Sequence, residues 1–346
     1  MLPFLVILII LGAVIELLSL RRDPSLLEMD YSISTDASEP GKPFAVQSIL
    51  TNKSRIPVSF LAVRELFPEH AVVPDGVTTR IARKGLLVKS IYRMKSLQRK
   101  KLVLDVSISK RGVHIFTAET IEFGDFLGFR VITKNILKQR EIVIYPEALD
   151  SPDLLQTMSS FCGDIAARRF LIRDPILTAG AREYTGREPM KEIHWLQSAR
   201  RGDLMVREFE YSRQPSACVI LNVEGVGPEE SDMDQLCSVT RSVCQTLVNT
   251  GASVRLYTNA QLKRKGRCDV WKCEASPLYM GILLEGLGRA TSSAAVTADR
   301  LMQQALRESD PDAAFIVVAS ANNLAGGQLV DRLRLNTGRE FLLIQA

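Results

Sequence analysis

"ACVILNVEG", residues 217–225, is the stretch on which the fold of this chain turns. Its first seven residues are apolar except Asn222, and they show no alternation of polar and apolar positions. A short continuous apolar run suits a strand buried on both faces, as in the middle of a parallel sheet. The residues that follow keep to that pattern. "SDMDQLCSVTRSVCQTLVNTG" (231–251) has helical spacing, with Ser231 or Asp232 as N-cap and Gly251 just past its end. "ASVRLYTN" (252–259) reads as a second strand, 276–290 and 297–309 as helices, and "AAFIVVAS" (313–320) as a third buried strand. A helix over 325–338 and a strand over 340–346 complete the series. Strand–helix alternation of this kind predicts a doubly wound α/β domain with a parallel sheet over residues 215–346. Ligands of such sheets bind at the carboxyl ends of the strands. The first strand ends at Asn222, Glu224 and Gly225, whose oxygens are candidates for holding Mg²⁺.

Residues 28–146 have a different rhythm. "EMDYSIS", "FAVQSILTN", "VSFLAVREL", "RKKLVLDVSI", "HIFTAETIEF" and "EIVIYP" are short runs with alternation or β-branched content. Turn signals such as "EPGKP", "NKSRIP" and "SKRG" separate them, with Asn52 at one of the turns. Strands at such intervals predict an antiparallel β-sandwich of immunoglobulin-like type.

A chain of 346 residues is too long for one ordinary core, in keeping with two folded domains. The net charge of +5 is spread along the chain, without the basic, aromatic-laced face of a nucleic-acid binder. Its six cysteines form no C-x-x-C pair, and no histidine stands at ligand spacing from them, so no zinc site is expected. Cys237 and Cys244 fall on one face of a helix as small apolar filler, and free thiols fit a reducing compartment.

Residues 2–20, "LPFLVILIILGAVIELLSL", carry a single charge, Glu16. At about 1.5 Å per residue they approach the ~30 Å hydrocarbon core of a bilayer. Arg21 and Arg22 follow without a small-residue cleavage pattern, which predicts a single-pass anchor over 1–22. The positive-inside rule then puts the folded domains in the cytoplasm.

Between the two domains, 147–214 reads as a connector, helical in its first half and ending in "REYTGREPMKEIHWLQSARRGDLMVREFE" (182–210). Twelve of these 29 residues are charged, six of each sign, interleaved with Trp195, Met190, Leu204, Met205, Val206 and Phe209. Apolar groups call for burial, and charges accept burial only when paired. The passage is therefore expected to be a clasp between the two domains. Arg182, Arg200 and Arg207 would be the buried cations, with Glu183, Glu208 and Asp203 as partners and Tyr184, Trp195 and Ser198 packed among them. The same arginines could also form a surface for an anion or an acidic peptide. His194 could act as a general base with Glu183 or Glu192, giving a hydrolase, but a buried hydrogen-bonding role beside Trp195 is the plainer expectation. No P-loop and no G-x-S-x-G elbow is present, and neither a cofactor nor a small-molecule substrate is expected.

The passage resembles the central motif of the bacterial family called domain of unknown function 58. The matching residues are Arg182, Glu183, Tyr184, Ile193, Trp195, Ser198, Ala199, Arg200, Leu204, Val206, Arg207 and Glu208. "SKRGVHIF", "GDFLGF" and "EIVIYP" are similar to the strands that precede that motif. The resemblance implies a protein anchored in the bacterial inner membrane, with a β-sandwich followed by a von Willebrand A-like domain. It also implies a protein partner, a MoxR-type AAA+ ATPase together with other membrane proteins. The sequence departs from the family at Gly186-Arg187-Glu188, where a Gly-Asp turn is usual, and in having one apolar span. Where metal-binding A domains carry Asp-x-Ser-x-Ser, this chain has Asn222, Glu224 and Val226, so a degenerate site without a metal is expected. The overall expectation is a non-enzymatic, membrane-tethered scaffold or adaptor. A hydrolase using His194 and a metal-dependent adhesion module are the alternatives.

Overall fold

Alternation builds the first unit. In strand β3 (Phe44–Asn52) every second residue is buried, so Phe44, Val46, Ser48, Leu50 and Asn52 all face inward. A strand with one apolar face must cover that face with a second layer. The computed structural model describes residues 23–124, 131–169, 178–209, 216–227, 230–263, 270–320 and 341–345, with 4, 7, 10 and 12. The other strands of this unit are β1 (Leu27–Ile33), β2 (Ala37–Ser38), β4 (Val58–Phe67), β5 (Ala71–Val72) and β6 (Thr78–Ala82). They continue with β7 (Gly85–Met94), β8 (Arg99–Ile108), β9 (Gly112–Gly124) and β10 (Val131–Ile144). One sheet has the order β1-β3-β8-β5, the other β2-β10-β9-β4-β7-β6. All pairs are antiparallel except β2 with β10.

The two sheets share one core. Tyr31, Val46 and Leu50 of the first pack in the same cluster as Leu61, Val63, Ile121 and Ile142 of the second. Phe116 sits edge-on to Phe44 at 5.7 Å and to Phe67 at 4.9 Å, joining rings from both layers. This is the expected β-sandwich. One polar bond also crosses the core: the Ser48 hydroxyl donates to Glu65 Oε1 at 2.5 Å, and both residues are buried.

The first compact unit comprises Met1–Glu147 together with Glu285–Arg289. The short 285–289 segment is held by Arg289, whose side chain is 10% exposed and donates to Glu141 and to Glu285, each at 2.8 Å. Arg111 Nη1 donates to the Leu287 carbonyl at 2.7 Å. Gly288 lies so close to Val143 and Ile144 that a Cβ there would fall 2.5 Å from the Val143 side chain.

The second unit holds Ala148–Leu284 and Ala290–Ala346. It begins with α1 (Pro152–Arg169), the hairpin β11 (Thr178–Glu183) and β12 (Met205–Phe209), and α2 (Trp195–Arg201) between them. Then come β13 (Ser216–Asn222), α3 (Glu230–Asn249), β14 (Ser253–Thr258), β15 (Ala260–Leu262), β16 (Trp271–Ala275) and α4 (Met280–Arg289), whose residues from Glu285 on belong to the first unit. The last elements are β17 (Ala290–Ala294), α5 (Ala298–Glu308), β18 (Ala314–Ala319) and β19 (Phe341–Gln345). The main sheet has the order β16-β14-β13-β18-β19. Its strands run parallel except β16, which pairs antiparallel to β14 at one edge. Every residue of β13 beyond Ser216 and all of β18 are buried, as the apolar runs require. Cys237 and Cys244 lie buried on α3 beside Leu236, Val243 and Leu247.

The predicted helix over 325–338 lies outside the described residues. So does most of the predicted span 2–20, of which Phe4, Ile7, Ile10 and Gly12 are helical. Among the described residues no helix is long and apolar enough to cross a membrane.

Candidate functional site

The carboxyl edge of the parallel sheet is where an α/β fold places its ligand, at the point where strand order reverses. That point lies between β13 and β18, the neighbours on which the chain turns back across the sheet. Asn222 ends β13 and is 1% exposed. Its Oδ1 accepts from Asn259 Nδ2 at 2.9 Å and from the Glu224 backbone N–H at 3.1 Å. Asn259, also buried, accepts the Val223 N–H on Oδ1 at 3.0 Å and donates to the Val296 carbonyl at 3.1 Å. Two amides thus tie together the ends of β13 and β14 and the segment leading to α5. With Oδ1 already taken twice, Asn222 presents Nδ2, which is buried without a hydrogen-bond partner.

Glu224 and Val226 are equally committed. Gly225, at φ +80°, makes the tight turn in which the Val226 N–H reaches the Val223 carbonyl at 3.3 Å. That turn sends the Glu224 carboxylate to the Ala298 N–H at 2.9 Å, the first residue of α5. Thr297, the N-cap of α5, makes no capping bond with its side chain, so the Glu224 carboxylate fills that role and meets the positive end of the helix dipole. This set does not suit a divalent cation. The leading side chain offers an N–H where a metal needs an oxygen, and the neighbouring carboxylate caps a helix. Among the described residues no group of three or more His, Cys, Asp or Glu is placed to hold a metal.

The charged passage differs from its expected form. Arg182, Arg200 and Arg207 are exposed, as are Glu183, Asp203, Glu208 and Trp195, the last at 59%. Tyr184 is half-buried and Ser198 buried. The partner of Arg182 is Glu188, at 2.7 Å, a residue of the Gly186-Arg187-Glu188 turn that the charge pattern did not single out. Glu188 also accepts the Thr185 hydroxyl and backbone N–H at 2.8 and 3.1 Å. Those Thr185 bonds, then the guanidinium, hold its carboxyl down at about 2. The Asn/Asp-like role of an acidic group closing its own turn was the available signal.

The reason for the exposure is local. The seven-residue α2 buries only Ser198, whose hydroxyl accepts the Met205 N–H at 2.8 Å and donates to the His194 carbonyl at 3.0 Å. A small residue at the contact brings the helix backbone close to β12 and leaves its large side chains outside. Met190, Trp195, Leu196 and Leu204 are 70%, 59%, 62% and 45% exposed, while Ile193, Met205 and Val206 take the burial. His194 is the N-cap of α2: Nδ1 accepts the Gln197 N–H at 3.3 Å, so the ring proton is on Nε2. Its own N–H donates to the Met205 carbonyl at 2.7 Å.

No family model matches the chain, and no curated protein matches it. Solved structures similar to it include a cohesin module from a family 33 glycoside hydrolase of Clostridium perfringens, 12% identical with a TM-score of 0.25. It covers 34% of this chain and 96% of its own. A CARDB domain from Pyrococcus furiosus is 12% identical with a TM-score of 0.25, covering 34% of this chain and 91% of its own. A type II cohesin domain from the cellulosome of Acetivibrio cellulolyticus is 10% identical at 0.26, covering 34% and 94%.

Proposed function

We propose that this chain is a non-enzymatic scaffold, tethered to the inner membrane of a bacterium by residues 2–20, whose cytoplasmic α/β unit docks a protein partner. The observation that carries the reading is the exposed group Met190, Trp195, Leu196 and Leu204, large apolar side chains that take no part in the core. Where such side chains join in one patch, they mark an interaction site more often than a chemical one. The polar groups at the sheet edge support the same reading, because Asn222, Asn259 and Glu224 are bonded to one another and to backbone. His194, the residue a hydrolase would need, spends Nδ1 on a helix cap.

The strand order β16-β14-β13-β18-β19, with one antiparallel edge, supports a von Willebrand A-like domain. The sequence resemblance makes a MoxR-type AAA+ ATPase the partner to test first. A photo-crosslinking residue at Leu196, in the full-length chain in its own membrane, is expected to capture such an ATPase. Trp195→Glu is expected to abolish the capture. An intact, membrane-associated chain that crosslinks to no protein from this position would overturn the reading.

A further inference from the structure

We propose that the end of the β-sandwich from which the N-terminal segment emerges lies on an anionic lipid surface, with Leu97 as its apolar tip and Arg55, Lys95 and Arg99 as its headgroup contacts. The proposal rests on the reading of residues 2–20 as a membrane anchor.

Register puts these residues at one end. β1 begins at Leu27, opposite Asn52 at the end of β3. Past that pair, the Lys53 N–H donates to the Leu26 carbonyl at 2.8 Å. The β7–β8 turn closes on the same loop: Leu97 N–H to the Ser54 carbonyl at 3.0 Å, and Asn52 N–H to the Gln98 carbonyl at 2.9 Å. The buried Asn52 side chain stitches the two loops through bonds to the carbonyls of Ile56 at 3.0 Å and Lys95 at 2.9 Å. Lys134 fastens the entering chain by donating to the Pro24 and Leu27 carbonyls. The two loops and the entry strand therefore form one surface, a few residues from Arg21 and Arg22 and the apolar stretch before them.

The chemistry of that surface is basic with an apolar point. Arg55, Arg93, Lys95 and Arg99 are exposed, and among the described residues none of them is in an ion pair. The acidic groups facing them are already engaged. Glu28 is paired with Lys53, Asp30 with Lys138, and Asp23 accepts the Ser25 N–H. Leu97 stands at the turn with φ +53° and is 66% exposed. A leucine in the left-handed region is strained where glycine or asparagine would not be, and here it is also bare to solvent. Such strain is expected where a side chain is wanted for contact rather than for the fold. Cations around an exposed aliphatic side chain match a negative headgroup layer over hydrocarbon, and attraction to it fades beyond a Debye length. The apolar segment ends only a few residues before this surface in the chain, so an anchor there would hold the surface near the headgroups.

The test uses the full-length chain with vesicles of phosphatidylcholine alone or with 30% phosphatidylglycerol, read by amide hydrogen exchange. Residues 53–57 and 93–101 are expected to exchange at least threefold more slowly on the anionic vesicles. The hairpin at 78–84 of the same unit serves as the internal control and is expected to be unchanged. The difference should vanish at 0.5 M salt and in the R55E/K95E/R99E variant. Equal exchange on the two vesicle types, or slowing that survives the triple substitution, would overturn the proposal. Resistance to carbonate extraction reads the anchor separately. Slowing on anionic vesicles without that resistance would sustain this surface while removing the anchor.

Discussion

Two arginines make ion pairs of nearly identical length in very different settings. Arg182 meets Glu188 at 2.7 Å inside the densest charged passage of the chain, with 43% of its side chain exposed. Arg289 meets Glu141 and Glu285 at 2.8 Å in a stretch with no such density, and only 10% of its side chain is exposed. Charge density in sequence and burial of charge in the fold are separate properties. A guanidinium becomes structural when its backbone is drawn into a packed position, as the close approach of Gly288 to Val143 and Ile144 draws in the end of α4. In the charged passage it is the carboxylate of Glu188 that is covered, at 10% exposure, while the cation stays in water.

The largest effect expected from this contrast is that of Arg289→Ala. Removing a mostly buried cation takes one ion-pair partner from each of two neighbouring carboxylates, a loss of about 2–4 kcal/mol. Chemical denaturation of the full-length chain measures it. A loss no greater than that of a surface pair would erase the distinction.

Asn259→Ala comes next. It strips the Val223 N–H of its acceptor in a buried position and frees Asn222 Oδ1 of one donor. Orphaning one buried backbone donor costs about 1–3 kcal/mol, without any change in net charge. If stability is unchanged in a thermal melt, the Asn259 amide does not hold the sheet edge together as its bonds describe.

Glu65→Gln sharpens the contrast with the opposite sign. Burial pushes the Glu65 carboxyl above the ordinary carboxylate range, against the smaller opposing effect of its bond to Ser48. A raised carboxyl holds its proton better folded than unfolded. Stability from this group is therefore full at low pH and falls as pH rises from the ordinary range through the raised value. Glutamine keeps the shape and the acceptor without the buried charge. The variant should melt a few degrees higher than the parent at pH 8, on the order of 1 kcal/mol, with the gap closing at pH 4. A gap that is constant across pH would mean that the Glu65 carboxyl titrates alike in the folded and the unfolded chain, and would remove the effect of burial.

The sequence was most legible where burial is total or strictly periodic. "ACVILNVEG" and "AAFIVVAS" became β13 and β18 because a strand covered on both faces has no room for polar residues. "FAVQSILTN" became β3 because one covered face imposes a period of two. β16, "WKCEA", escaped notice since an edge strand with Lys272 and Glu274 exposed looks like any polar linker. The charged passage was legible as a unit but not in its packing. Nothing in the spacing of Trp195 reveals that the single buried place on α2 belongs to Ser198. The Asn222–Asn259 bond joins residues 37 apart and depends on two strand ends meeting, which only the parallel register of β13 and β14 provides. Glu224 as a cap for α5, 74 residues away, is beyond local reading for the same reason.

The smallest effect is expected from Arg182→Ala, and it is the most direct probe of the charged passage. Its side chain is 43% exposed, so solvent reaches the cation, and Glu188, itself 10% exposed, keeps both Thr185 bonds after the arginine is gone. The loss of stability is therefore expected to be the smallest of the set, well below that of Arg289→Ala. Thr185→Ala at the same turn should lift the Glu188 carboxyl from about 2 further than Arg182→Ala does, because the Thr185 bond is the larger cause of its depression. Carboxyl titration followed by NMR in the two variants separates the contributions. If Arg182→Ala instead destabilises the chain as much as Arg289→Ala, the passage is gripped from outside itself. Exposure in the isolated chain would then describe a surface that is covered in the working protein.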